Sequence, residues 1–294
     1  MKALTAARSI AARVGSRLVS SPTTHEPPLV LVFSSDHAIA LELFLRSYAQ
    51  HMSPALPLTV MYHASSDAHR QAYEEVLGGY GASELVAIPE TAFKSDLLTV
   101  LKASNARHVI FFVDDTVFIH PVDTRLLAQW EPHDGILSLR LGRNITHSLT
   151  RGGIEQPQPV PLESGSLGEQ PLARWRWSAG ALDWALPTSL HGHLLPLPDL
   201  VPVIEEASFA EPQSLESAID RYKFLFKGRW GYCWERARIM NLPLGADADQ
   251  LLEAFQRGLR LDVSELPLSE HNSCQMAWAP ALRRPPEAPP ADAV

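Results

Sequence analysis

Val109-Ile110-Phe111-Phe112-Val113 is an apolar run without a polar break, and it leads straight into Asp114-Asp115-Thr116. A strand that does not alternate polar and apolar residues is buried on both faces, which requires a parallel or mixed sheet with helices on each side. In open sheets of that kind ligands collect beyond the carboxyl ends of the strands, so the two carboxylates arrive where chemistry is expected. Without that position the dipeptide would read as a pair of solvated turn acids capping the next segment.

The preceding segments repeat the pattern. Leu29-Val30-Leu31-Val32-Phe33 is a second continuous apolar run and reads as the first strand. Ser34-Ser35-Asp36 follows as a helix-start signal, and 38–50 carries Ile39, Leu43 and either Ala40 or Phe44 at helical spacing. Residues 58–62 and 84–88 read as further strands, 67–77 and 93–103 as helices, and the alternation predicts a parallel sheet with helices on both sides. The second half is less regular: a strand over 135–141, a mobile loop over 152–170, strands at 175–177 and 187–195, and helices over 215–226 and 249–257.

A chain of 294 residues, 46% hydrophobic and 20% charged, has enough apolar material for one α/β core with additions. A formal charge of −8 argues against broad nucleic-acid binding, which needs many cationic phosphate contacts. The two cysteines, Cys233 and Cys274, form no CxxC pair, which fits a reducing, cytoplasmic setting. No run of eighteen apolar residues reads as a membrane span. Residues 1–20 carry Lys2, Arg8, Arg13 and Arg17 without an acid, and Ile10, Val14 and Leu18 recur on one helical face. This basic leader, 1–28, reads equally as a peripheral contact with the inner face of an anionic membrane, a transit peptide or a frayed end. The proline- and alanine-rich stretch 280–294 reads as a disordered tail.

The apolar strand ending in Asp114-Asp115 resembles the acidic motif of GT-A glycosyltransferases, here with Val113 in place of the first acid of the usual Asp-X-Asp. Further strings have the look of small bacterial proteins of that type: Ser138 to Asn144, Pro187 to His193, Pro212-Gln213-Ser214-Leu215-Glu216, and Asn241-Leu242-Pro243. In element order the resemblance covers roughly residues 29 to 278. It implies a GT-A-like (Rossmann-like), mostly parallel sheet flanked by helices, with a nucleotide-binding half over 29–125 and a less regular acceptor half over 126–279. It also implies transfer of a hexosyl group from a nucleotide diphospho-sugar donor to a glycan or other hydroxyl acceptor, such as an envelope or capsule polysaccharide, with Mn²⁺ or Mg²⁺ as cofactor.

On that resemblance Asp115 and a C-terminal histidine, His271, would hold the metal. Ser34, Ser35, Asp36, Asp114, Arg143 and Asn144 would bind the donor, and Glu216 would act as general base. Trp177, through ring stacking, and His191 and His193, on one face of a strand, would meet the acceptor. Two other readings stand beside this one. Asp36, His37, Asp114, Asn144, His191, His193 and His271 also make an inventory for a metal-dependent phosphoesterase, though without its usual Gly-Asn-His-Asp turn. The missing first acid at Val113 is compatible with a non-catalytic nucleotide-sugar or glycan-binding protein on the same scaffold.

Overall fold

The computed structural model describes residues 26–80, 85–131 and 135–285, so the basic leader lies almost wholly outside the described residues. The first half alternates as expected. Strands β1 (Leu29–Ser35), β2 (Leu58–His63), β3 (Leu85–Pro89) and β4 (His108–Val113) are joined by helices α1 (Ala38–His51), α2 (Asp67–Gly79) and α3 (Phe93–Ala103). The second half adds β5 (Ile136–Gly142), β6 (Glu163–Leu167), β7 (Gln170–Arg176), β8 (His193–Pro196) and β9 (Trp230–Trp234), with helices α4 (Leu197–Glu206), α5 (Pro212–Asp220) and α6 (Ala248–Gln256).

These strands form one nine-stranded sheet in the order β6-β7-β9-β5-β8-β4-β1-β2-β3. β1 pairs in parallel with both β2 and β4, while β8 runs antiparallel between β4 and β5. β7 is the other reversed strand, antiparallel to β9 and to β6. The chain is therefore a mixed α/β protein with a mostly parallel central sheet.

Unbroken apolarity in β1 and β4 follows from burial on both faces. Val30, Val32, Ile110 and Phe112 point into one apolar layer, covered by α1, α2 and α6; Leu31, Phe33, Val109 and Phe111 point into the other, covered by α3, α4 and α5. Neither face meets water, so a polar residue in either strand would have to be buried without its hydration.

Several expectations change. The stretch 152–170 is not one loop, because Glu163–Leu167 pairs with Gln170–Arg176 as an edge hairpin. The strand expected over 187–195 is confined to β8, since Gly192 takes a left-handed φ of 72° and turns the chain just before it. The helix expected over 215–226 starts at Pro212, which sits at the first helical position behind a Glu211/Ser214 capping box, and gives way to a 3-10 turn at Lys223–Leu225. Part of the expected tail, Ala281–Arg283, pairs with Arg260–Asp262.

Candidate active site

A cavity of about 650 Å³ opens at the carboxyl ends of β1 and β4. Ser34, Ser35 and Asp36 reach it from β1, Asp114 and Asp115 from β4, and Gln213 and Glu216 from the first turns of α5. His191 enters from the turn before β8, and the segment leading into α6 closes another side. The parallel register Phe33↔Val113 sets the two strand ends side by side, and the Asp114 N–H donates to the Phe33 carbonyl at 3.1 Å. Asp36 sits in the left-handed region at φ 57°, uncommon for a residue with a side chain, and the Ser65 N–H holds its carboxylate at 2.8 Å.

A short relay fixes Asp114. The Ser34 hydroxyl donates to Asp114 Oδ2 at 2.6 Å and lies 2.6 Å from the Tyr73 hydroxyl of α2; a hydroxyl has one proton, so Tyr73 donates to Ser34. Burial pushes the Asp114 carboxyl up to about 7, and the neighbouring Asp115 charge adds to this against the pull of the Ser34 bond. Asp115 is held differently: Asn241 Nδ2 donates to its Oδ1 at 2.6 Å.

Glu216 is anchored through one oxygen. Its Oε1 accepts from the Ser189 hydroxyl at 2.8 Å and from the Leu190 N–H at 3.2 Å, while Oε2 lies 3.8 Å from His191 Nε2. Burial pushes Glu216 upward, but His191, Arg140 and these hydrogen bonds outweigh it and leave the carboxyl below its ordinary range. Arg140 is buried, donates to Ser189 Oγ at 2.8 Å and pairs with Asp183 at 3.5 Å. Asp183, Arg140, Ser189 and Glu216 are thus one connected network. A second cavity of about 250 Å³, lined by Arg140, Asp183 and Gln275, shares Glu216 and His191 with the first.

The structure thus brings Ser34, Ser35, Asp36, Asp114, Asp115, His191 and Glu216 together, and it separates five other residues from them. Arg143 lines neither cavity; it pairs with Glu235 at 3.1 Å. Asn144 spends its amide on the chain, accepting from Ala237 N–H at 3.0 Å and donating to the His271 carbonyl at 3.0 Å. His271 is buried beside Asn144, lines neither cavity and so does not join Asp115. Trp177 has no exposed surface, packs edge-on against Trp175 at 4.8 Å and cannot offer a face to a sugar. His193 is buried against Trp177 and does not share a strand face with His191, because Gly192 reverses the chain between them. The phosphoesterase inventory loses Asn144, His193 and His271 by the same displacement. Among the described residues no group of three or more His, Cys, Asp or Glu forms a metal cage.

Sequence reasoning assigned no role to Tyr73, Ser189 or Asn241. Asn241 stood in a string that had been noted, Asn241-Leu242-Pro243, but its partner is Asp115, far away in the sequence. Only the pairing of Thr116–Phe118 with Ile239–Asn241 reveals the contact.

No known protein family and no curated protein matches the chain by sequence. Solved structures resemble it in part. A mannosyltransferase from Pyrobaculum calidifontis in complex with GDP-Man and Mn²⁺ is 18% identical, with 49% of each chain covered and a TM-score of 0.29. TarS residues 1–349 from S. aureus in complex with UDP is 13% identical over 72% of this chain and 59% of that one, at 0.43. A nucleotidyl transferase from Methanothermobacter thermautotroptrophicus is 11% identical over 71% and 88%, at 0.37. The chain spans about half the length of the first of these.

Proposed function

We propose that the chain is a divalent-metal-dependent glycosyltransferase that takes a sugar from a nucleotide diphospho-sugar and passes it to a hydroxyl acceptor. The observation that carries this reading is the composition of the larger cavity. Asp36, Asp114 and Asp115 at the carboxyl ends of two parallel strands, together with Glu216 from α5, line it, and there is no lysine or arginine among its described lining residues. Such a cavity repels a bare diphosphate, and a divalent cation reverses that repulsion. The donor set fits magnesium or manganese, which commonly bind through one or two carboxylates with substrate phosphates and water completing the shell. Asp115, oriented by Asn241, would hold the cation, with Asp114 beside it. The bound cation supplies Lewis-acid stabilisation of the charge that develops on the leaving diphosphate.

The remaining steps belong to the chain's own side chains. Ser35 and Asp36 contact the nucleoside at the end of β1. Glu216, ionised and fixed by Ser189 and Leu190, accepts the proton of an acceptor hydroxyl that enters from the second cavity. His191, held below its ordinary range by burial and then by Arg140 against the pull of Glu216, can donate to the acceptor.

The test is a thermal-shift series with nucleoside diphosphates and their sugar conjugates, each with and without Mn²⁺. A metal-dependent rise with one nucleotide, lost in Asp115→Asn, is the expected result. The absence of any shift alongside metal-dependent hydrolysis of a generic phosphate ester would replace this reading with a phosphoesterase.

A further inference from the structure

A third cavity, of about 220 Å³, stands apart from the two already described and has the opposite electrostatic character. Its polar lining is His120, Gln170, Glu235, Arg236 and Arg238, with Trp234 as its aromatic wall. Two guanidinium groups, two residues apart in the chain, line it together, and among the described residues neither forms an ion pair. Arg236 donates only to the Leu268 carbonyl, at 3.3 Å, and Arg238 lies over the Trp234 ring at 5.1 Å. Glu235, the one acid present, is engaged by Arg143.

Two of the lining groups are also short of partners. Arg238 Nε and His120 Nε2 are buried nitrogens without a hydrogen-bond partner, as is Nε2 of nearby His271. A buried nitrogen in that condition carries a desolvation cost that an acceptor in the cavity would remove. Burial, and then the charges of Arg238, Arg236 and His51, hold His120 below its ordinary range, so cationic groups press on one another here. Gln170 commits its carbonyl oxygen to Trp234 Nε1 at 2.7 Å, which leaves its amide nitrogen as a further donor.

We infer that this cavity binds a phosphate group, with Arg236 and Arg238 supplying charge and His120 and Gln170 supplying hydrogen bonds. Guanidinium forks match the geometry of phosphate oxygens. The volume is below the roughly 300 Å³ of ordinary small-molecule pockets, which suits a single phosphoryl group rather than a nucleotide. A two-stranded ribbon lies between this site and the acid pair: Asn241 reaches Asp115 from one end of the Thr116–Phe118/Ile239–Asn241 pairing, and at the other the His120 N–H donates to the Arg238 carbonyl at 3.3 Å. The inference stands on its own residues and does not depend on the transferase reading.

Calorimetric titration of the full chain with inorganic phosphate, and separately with glycerol phosphate, in EDTA tests it, because the chelator silences a metal-dependent donor site. Saturable one-site binding is expected, weakened at least tenfold in Arg236→Gln and in Arg236→Gln/Arg238→Gln, and unchanged in Asp115→Asn. Arg236 is exposed, so its single variant keeps the test valid if the double variant does not fold. Comparable binding of both probes identifies a phosphoryl group carried on a larger molecule, whereas binding of inorganic phosphate alone identifies the free anion. No saturable binding of either probe, binding that survives loss of Arg236, or binding lost in Asp115→Asn would overturn the assignment.

Discussion

Asn241 Nδ2 donates to Asp115 Oδ1 at 2.6 Å and to Thr116 Oγ1 at 3.1 Å, so one buried amide fixes both the carboxylate and the strand that carries it. Asn241 has no exposed surface and lies opposite Thr116 in the ribbon. On the proposed metal role of Asp115, a partner placed this way would set which carboxylate lone pairs face the cation.

Asn241→Ala is therefore expected to lower metal-dependent turnover by on the order of 10- to 100-fold, the usual cost of losing an outer-shell partner. Titrating activity against Mn²⁺ checks it: the variant should need more metal for half-maximal activity. An unchanged metal requirement would detach Asn241 from the site's function.

Asp114 makes a prediction about stability with a definite sign. Its folded pKa is raised from 3.8 to about 7, so between those values the folded chain binds more protons than the unfolded one, and stability falls as pH rises. At roughly 1.4 kcal/mol per pH unit of difference, ionising this buried group costs on the order of 4 kcal/mol above pH 7. Asp114→Asn should thus melt higher than the parent at pH 8 in EDTA and gain little at pH 4, while losing activity. Equal melting differences at the two pH values would contradict the buried-carboxyl account.

Three buried histidines act in the opposite direction. Burial lowers His193 from 6.5 to about 3, helped by Arg140; it lowers His108 to about 4, helped by Arg107 and Arg229; and it lowers His271 to about 4, helped by His120 and Arg236. Each group is neutral in the fold and takes a proton more readily when unfolded. Their contribution is complete above pH 6.5 and is lost as pH falls through the window down to about 3. Urea midpoints should decline across that window, and the decline should be shallower in His193→Gln. A variant with the parent's slope would show that His193 does not carry its share.

What could be read from the sequence was whatever one strand or one helix face determines. The unbroken runs Val30–Phe33 and Val109–Phe112 mark burial on two faces, and burial on two faces places Ser34 and Asp114 at the strand ends. The place of Glu216 near a helix start was legible in the string Pro212 to Glu216, although the helix begins at Pro212 and not at Leu215. The errors share one cause, contact across long sequence separation. Trp177 and His193 look like ligand contacts until they are seen buried against each other, and Asn144 looks like a free amide until Ala237 and His271 take its hydrogen bonds. Arg236 and Arg238 carry no signal in isolation, since only the structure shows that Glu235, the acid lining their cavity, is engaged by Arg143.

On the proposed mechanism, Glu216 is the residue whose replacement separates catalysis from binding. Its Oε1 is satisfied by Ser189 and Leu190, so Oε2 is the oxygen available to an acceptor hydroxyl, with His191 at 3.8 Å. Glu216→Gln keeps an oxygen for those two donors and removes only the basic site. Donor and metal binding, read by thermal shift, should stay as in the parent, because Asp115 and the end of β1 are untouched. Transfer to the acceptor should fall by on the order of 10²- to 10⁴-fold, the range for loss of a general base. A low pKa weakens Glu216 as a base in the free protein, and displacement of either hydrogen bond by the acceptor would strengthen it. The Ser189→Ala variant, which removes one such bond, should accordingly move the acidic limb of the kcat/KM profile to higher pH. An acidic limb that stays in place in Ser189→Ala, with transfer undiminished in Glu216→Gln, would assign the proton to another group.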